Sequence, residues 1–390
     1  KGARIMKKIL FILFGVISVE SATQSFIPNT PDLDLKSYIL IEPNTNTVIA
    51  SFNENDPIEP ASMTKVMTSY VIADQIANDF LSLDDTVLIS EEARSISLDT
   101  ARTFIEPGSR VSVLDLLKGI IIQSGNDATY ALAEHIGGTE EGFVDLMNSY
   151  AGGMGLTNTL FKNSTGLSDP NHFSSAKDLA TITTLLINNF PDIYDLHKEK
   201  SFEYNNVEQP NRNRLLWKDT SSDGVKTGWT ESAGYCLIGS AKRNDMRLIV
   251  VVAGANSDKD RFNDTQRLLE YGFRFYSTQE VIKKNNALKE VSVWGGKKDQ
   301  VSLGSENNIK LTLPRTTFKN ITISYDFQNN IRAPITEGQI LGTLIIKDGE
   351  KTLHTENLIA LSDVSSKGFF GRLWANFVLW IRGLFGFGND

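Results

Sequence analysis

The sequence predicts an α+β fold, and three observations carry that reading. Strand-like apolar segments come first, at Ser37 to Glu42 and Thr47 to Phe52, around the turn Pro43-Asn44-Thr45-Asn46. A block from Leu83 to Phe190 is helical in pattern instead. Strand patterns return at Gly234 to Ala241 and Arg247 to Ala253, separated by Lys242-Arg243-Asn244-Asp245. Strands on both sides of a helical block imply one sheet in which N- and C-terminal segments pair.

Taken in order, the elements begin with an export signal. Lys7-Lys8 precede the apolar run Ile9 to Ile17, and Val19-Glu20-Ser21 supplies a cleavage-like end. That layout marks 1–21 as a secretory signal peptide, too short to span a bilayer comfortably. Pro28 and Pro31 mark a short linker. Pro60 precedes a helix with Val66, Met67, Tyr70 and Val71 on one face. In the central block Leu114, Leu117 and Ile121, then Ala128, Leu132 and Ile136, recur at helical spacing. Asp258 to Tyr276 reads as a further helix, with Phe262, Leu268, Leu269 and Phe273 near one side. From Val281 the pattern becomes short strands between Gly, Asn and Pro turns: Val291 to Trp294, Ile309 to Leu313, Ile321 to Tyr325, Gly338 to Ile346 and the run to Leu361. This predicts a main domain over 33–280 and a small all-β domain over 281–366.

Composition narrows the function. The chain of 390 residues is 41% hydrophobic and 22% charged, as globular proteins are. A net charge of -8 with no basic concentration argues against a nucleic-acid partner. His135, His172, His197 and His354 scatter without metal-ligand spacing, so neither a metal nor another cofactor is expected. The single cysteine, Cys236, excludes an internal disulfide and sits in an apolar run that favours a buried, structural thiol.

Three short motifs carry chemistry. Ser62-Met63-Thr64-Lys65 puts a serine at a helix start, near the positive end of the dipole, with a lysine one turn along the same face. Burial and a second cation would strip that amine of its proton and make it a base. Ser124-Gly125-Asn126 closes one apolar helix and opens the next. Its hydroxyl suits proton relay, and Asn126 suits either a substrate amide or Lys65. Lys226-Thr227-Gly228 opens a strand, offering charge, a hydroxyl for a carboxylate and room for substrate backbone. Ser174-Ser175-Ala176-Lys177, Ser51-Phe52-Asn53 and Ser305-Glu306-Asn307 imitate the motifs out of context. Ser174 is expected to cap the helix after it.

In this order the motifs resemble the S-x-x-K, S-D-N and K-T-G signature of class A β-lactamases and penicillin-binding proteins. Serine-glycine-asparagine in the second is similar to the low-molecular-mass penicillin-binding proteins, the serine-type D-alanyl-D-alanine carboxypeptidases. Glu59-Pro60-Ala61-Ser62, Gln123 to Ala128, Asp223 to Gly228, Ala233-Gly234-Tyr235 and Tyr271 to Arg274 share the likeness, which runs from Ser37 to the C-terminus. The resemblance implies a serine β-lactamase/DD-peptidase-like fold, with an antiparallel sheet flanked by helices and a helical subdomain. It also implies a peptidoglycan stem peptide ending in D-Ala-D-Ala as substrate and β-lactams as inhibitors. Ser62 would attack the penultimate carbonyl with Lys65 as base, Ser124 would pass the proton to departing D-alanine, and Asn126 would support them. The N–H groups of Ser62 and Trp229 would hold the oxyanion. Lys226, Thr227, Gly228 and Arg212 would bind the substrate end, and Arg261 occupies a family position near the site that equally suits a structural role. Position 229 departs from the pattern, being commonly histidine in these enzymes.

Other readings are a DD-endopeptidase of the same superfamily, a β-lactamase and a non-catalytic envelope scaffold. A class A β-lactamase uses an additional glutamate between the second and third motifs, and none occurs between Glu141 and Glu199. Complete motifs weigh against a scaffold. Finally, Phe370, Leu373, Trp374, Phe377, Ile381 and Leu384 fall on one broad helical face, with Arg372, Asn376 and Arg382 toward another. Residues 367–390 are therefore expected to lie in the membrane surface without crossing it, at the periplasmic face of the bacterial inner membrane.

Overall fold

The computed structural model describes residues 27–380, apart from 97, 328, 329, 372, 375, 376 and 379. The expected export signal, 1–21, lies outside the described residues, as do 381–390.

The chain opens with β1 (Ser37–Glu42) and β2 (Thr47–Phe52), joined through Asn46 in the left-handed region at φ 51°, which asparagine tolerates. A 3₁₀ turn over Ala61–Thr64 leads into α1 (Lys65–Ala77), buried from Lys65 through Ala73 and so wrapped by protein on all sides rather than on one face. The central block then runs through β3 (Thr86–Leu88), α2 (Glu91–Ser95), β4 (Arg110–Ser112) and α3 (Val113–Lys118). It continues with α4 (Asn126–Gly137), α5 (Glu140–Gly153), α6 (Ala176–Asn189) and α7 (Pro191–Tyr194). Ser90, Ser112, Thr139 and Ser175 cap α2, α3, α5 and α6, each hydroxyl accepting a first-turn N–H. Ser175, not Ser174, is the α6 cap. Ser174 is held one residue earlier in a bridge to Ile58, with its hydroxyl against Thr159.

A hairpin of β5 (Ser201–Tyr204) and β6 (Val207–Pro210) and the short α8 (Leu215–Lys218) return the chain to the sheet as β7 (Ser222–Thr230), β8 (Gly234–Arg243) and β9 (Met246–Ala255). The α9 helix (Asp258–Phe275), capped by Ser257, covers its far face. The strand order is β2-β1-β9-β8-β7, antiparallel throughout. N- and C-terminal segments pair as expected, Ile39 lying opposite Val251.

Both faces of this sheet are buried, which is why its strands read as nearly continuous apolar runs. On β9, Ile249, Val251 and Ala253 enter the core shared with the helical block, joined by Ile39, Ile238 and Val225. The alternate residues Leu248, Val250 and Val252 meet Leu40, Phe262, Leu268 and Leu269 under α9. Strand periodicity of two thus feeds two cores from one strand.

The all-β part consists of β10 (Tyr276–Ile282), β11 (Lys289–Ser292), β12 (Gln300–Ser305), β13 (Ile309–Pro314), β14 (Ile321–Phe327), β15 (Ile340–Asp348) and β16 (Lys351–Ala360). Five of these form a sheet in the order β11-β12-β16-β15-β14, and β10 pairs with β13. Strand β10 follows α9 without a linker. At that joint Arg315 Nη2 donates to the Phe273 carbonyl at 2.9 Å, and the Arg315 N–H donates to Phe275 at 2.9 Å, closing the end of α9. Nearby, the hydroxyls of Thr45 and Thr312 lie 2.7 Å apart, beside the buried Glu42 carboxylate that accepts the Thr45 N–H at 2.8 Å. Near the C-terminus, helical backbone is present at 369–371, 373, 374, 377, 378 and 380. No helix among the described residues is long and apolar enough to cross a membrane.

Ile249→Ala deletes a fully buried side chain from the central strand, and should cost about 2–5 kcal/mol in urea unfolding. The same change at Ile323, 39% exposed on β14, should stay within about 0.5 kcal/mol. Equal losses at both positions would contradict the two-sided core.

Candidate active site

The first wall is the turn that carries Ser62. Ala61 just before it is fully buried and left-handed at φ 48°, a conformation that costs an L-residue about 1–2 kcal/mol. Lys65 opens α1 and is 1% exposed. Its Nζ lies 3.2 Å from Ser62 Oγ, 2.7 Å from Asn126 Oδ1 and 2.6 Å from the Thr165 carbonyl. Burial, and then the Arg212 guanidinium, bring this amine down to about 7, against the opposing pull of Asp127 and Glu140.

The second wall forms where α3 widens into a π-helical turn over Gly119–Gln123 and ends at Ser124, left-handed at φ 66°. Such turns gather at functional sites. Gly125 then leads into α4, whose first residue, Asn126, donates from Nδ2 to Thr100 Oγ1 at 2.8 Å. Thr100 is held in place indirectly. The buried Asp127 carboxylate accepts the N–H of Thr103 at 2.8 Å and of Phe104 at 3.0 Å, fixing the loop that carries it.

The third wall is β7, an edge strand of the sheet. Gly228 lets it press against the turn that carries Ser62: a Cβ there would stand 3.0 Å from the Pro60 carbonyl and 3.2 Å from Ala61 Cβ. The K-T-G segment lies in the middle of β7 rather than at its start. Lys226 Nζ donates to the Thr227 carbonyl at 3.1 Å. Burial, with Lys65, Arg212 and Arg261 nearby, pushes its ammonium well below the usual lysine range. Arg212 reaches across from the loop after β6, with Nε donating to the Gln123 carbonyl at 2.8 Å.

Ser62, Ser124, Asn126, Arg212, Thr227, Gly228 and Trp229 line one cavity of about 1380 Å³. Lys65 and Lys226 are sealed beneath it. Trp229 is 56% exposed, its ring centroid 5.9 Å from that of Tyr235. Arg261, also on the wall, pairs with Asp258 and donates to the Gly228 carbonyl at 3.0 Å, so it braces β7 from α9. Cys236 is buried, and burial lifts its thiol to about 11, which leaves it inert. Among the described residues no cluster fit for a metal ion occurs. Motif spacing did not reveal Thr165, Thr100 or Asp127. The one signal for Thr165 was Asn163-Ser164-Thr165-Gly166, an Asx-turn pattern in which Asn163 Oδ1 accepts the N–H groups of Thr165 and Gly166.

A family profile described as D-alanyl-D-alanine carboxypeptidase matches residues 24–257. The chain belongs to this family. A second profile, the C-terminal domain of penicillin-binding protein 5, matches 276–366, beginning where β10 begins. The D-alanyl-D-alanine carboxypeptidase DacC of Escherichia coli is 43% identical over 350 residues, covering 88% of each chain. DacA of Haemophilus influenzae is 37% identical over 379 residues, covering 96% of each. The crystal structure of penicillin binding protein 5 from Haemophilus influenzae superposes with a TM-score of 0.80 at 37% identity, covering 87% of this chain and all of that one.

A lysine amine can act as a base only when neutral, and the neutral fraction of Lys65 grows with pH. Acylation by a penicillin should therefore rise with pH through a limb near 7. Arg212 lowers the Lys65 pKa, so Arg212→Gln should move that limb to higher pH. Stopped-flow acylation from pH 5 to 9 measures both; an unmoved or lowered limb would contradict the coupling.

Proposed function

We propose that this chain hydrolyses the terminal D-Ala-D-Ala bond of peptidoglycan stem peptides through a Ser62 acyl-enzyme. The observation that carries the assignment is the Lys65 amine, sealed from water and 3.2 Å from Ser62 Oγ at the floor of the cavity. The family supplies the reaction, that of the D-alanyl-D-alanine carboxypeptidases, and a solved relative is a penicillin binding protein; in this reading a penicillin acylates the same serine.

In this reading neutral Lys65 takes the Ser62 proton as Oγ bonds to the penultimate D-Ala carbonyl carbon. The oxyanion forms between the N–H groups of Ser62 and Trp229. Ser124 delivers its proton to the leaving nitrogen and takes a replacement from the Lys65 ammonium, the C–N bond breaks, D-alanine departs and Lys65 is neutral again. Water then adds to the ester with Lys65 again accepting a proton; the C–Oγ bond breaks as that proton passes to Oγ, which restores Ser62 and frees the shortened peptide. Asn126 and the Thr165 carbonyl aim the amine. Arg212 and Thr227 face the cavity and hold the terminal carboxylate. Lys226 acts from below, where an arriving anion favours its charged form.

We also place residues 367–390 in a membrane surface, holding the exported enzyme at the periplasmic face of the inner membrane. Support comes from the exposed aromatic side chains Phe370, at 85%, and Trp374, at 67%, on helical backbone.

Mass mapping after penicillin exposure should find one adduct, on Ser62, and none in Ser62→Ala. An adduct on Ser124 or Ser174 would sink the assignment. Truncation after Ser366 should move the mature enzyme to the soluble fraction with D-alanine release intact. Retention on membranes after confirmed signal cleavage would refute the anchor.

A further inference from the structure

Glu59 stands three residues before Ser62 and takes no part in the chemistry above. Its carboxylate gathers hydroxyls from two other segments of the site. Ser168 Oγ donates to Oε1 at 2.6 Å, Thr230 Oγ1 donates to Oε1 at 2.8 Å, and Ser232 Oγ donates to Oε2. Partial burial works against the charge, but the hydroxyls of Ser168, Ser232 and Thr230, and then His172, outweigh it and hold the carboxyl below its ordinary range.

The segments it grips are the ones that confine the nucleophile. Ser168 follows the loop of Thr165, the Lys65 acceptor, and Gly166, which packs so closely on the Ala61 carbonyl that a Cβ there would collide with it. Thr230 directly follows Trp229 on the strand that Gly228 lets approach Pro60. Left-handed Ala61 lies between these surfaces, in a conformation that persists only when its surroundings over-determine it.

We propose that Glu59 is a positioning residue for acyl transfer. It fixes the separation of the Ser62 and Trp229 N–H groups, and with it the loop that aims Lys65. The inference rests on the reading that the oxyanion forms between those two N–H groups.

A carboxylate has enough lone pairs to accept all three hydroxyls. Glutamine keeps one oxygen for Ser168 and Thr230, and its amide can donate to Ser232, whose hydroxyl is free to rotate and accept. Alanine keeps nothing. A role as a tether therefore predicts rescue by glutamine, and a role as a charge does not.

The test uses the full chain, with single-turnover acylation by benzylpenicillin and steady-state D-alanine release from a stem pentapeptide. Glu59→Ala should lower the acylation rate and kcat roughly ten- to a hundredfold, the range for misplacing a reacting group by about 1 Å, with KM held within about twofold and a native circular dichroism spectrum. Glu59→Gln should stay within about threefold of wild type. Thr230→Val should slow acylation less in the Glu59→Ala background than in the wild type, because part of its effect runs through the carboxylate. Wild-type acylation by Glu59→Ala, a loss confined to KM, equal losses for Ala and Gln, or the same Thr230→Val effect in both backgrounds would each overturn the proposal. If Glu59→Ala does not fold, wild-type acylation by Thr230→Val or slow acylation by Glu59→Gln overturns it, and the opposite pair supports it. The mapped adduct separates this from the parent reading. No adduct on Ser62 defeats both, whereas a Ser62 adduct with unaffected Glu59→Ala defeats the tether alone.

Discussion

The structure depends on keeping a lysine amine dry beside a serine. An ammonium removed from water is costly unless every donor finds an acceptor, and a lone one sheds its proton instead. Lys65 sits between those outcomes because its three acceptors come from three places: its own helical turn, the start of α4 and the loop holding Thr165. No single element could supply them. The helical block must close on itself for the amine to be satisfied, so the fold and the chemistry share one condition.

Electrostatics point the same way. Lys65, Lys226, Arg212 and Arg261 converge in a chain whose net charge is -8. Burial weakens each cation, and at Lys65 and Lys226 the neighbouring cations add to it. A site of this kind gains most from a small anion, and a peptide's terminal carboxylate is one. Under the reaction proposed above, relief of crowding among cations would favour a free C-terminus as much as any single contact. Trp229 stands half out in solvent at the wall of the cavity.

Much of this was legible in the sequence, for definite reasons. Ser37–Glu42 and Thr47–Phe52 were read to the residue because a turn rich in asparagine bounds them. The three motifs were found because each function there needs a particular side chain. Strand β10 was missed as Tyr276-Ser277-Thr278-Gln279-Glu280 is too polar to show strand character; its ladder with β13 decides it. The hairpin of β5 and β6 was too short for a pattern. Thr165 escaped because its contribution is a backbone carbonyl, which any residue carries. Asp127 and Glu59 act through N–H groups and hydroxyls far away in sequence, and only the closed fold brings these to them.

The joint at Arg315 has a mechanical side. With no linker between α9 and β10, bending there would break the hydrogen bonds to the Phe273 and Phe275 carbonyls and disturb the Thr45–Thr312 contact. Relative bending of the two parts is therefore opposed by contacts on both sides of the joint. A load on the all-β part is then handed through Arg315 to the end of α9, and through Thr312 to the β1–β2 turn, rather than absorbed at the joint.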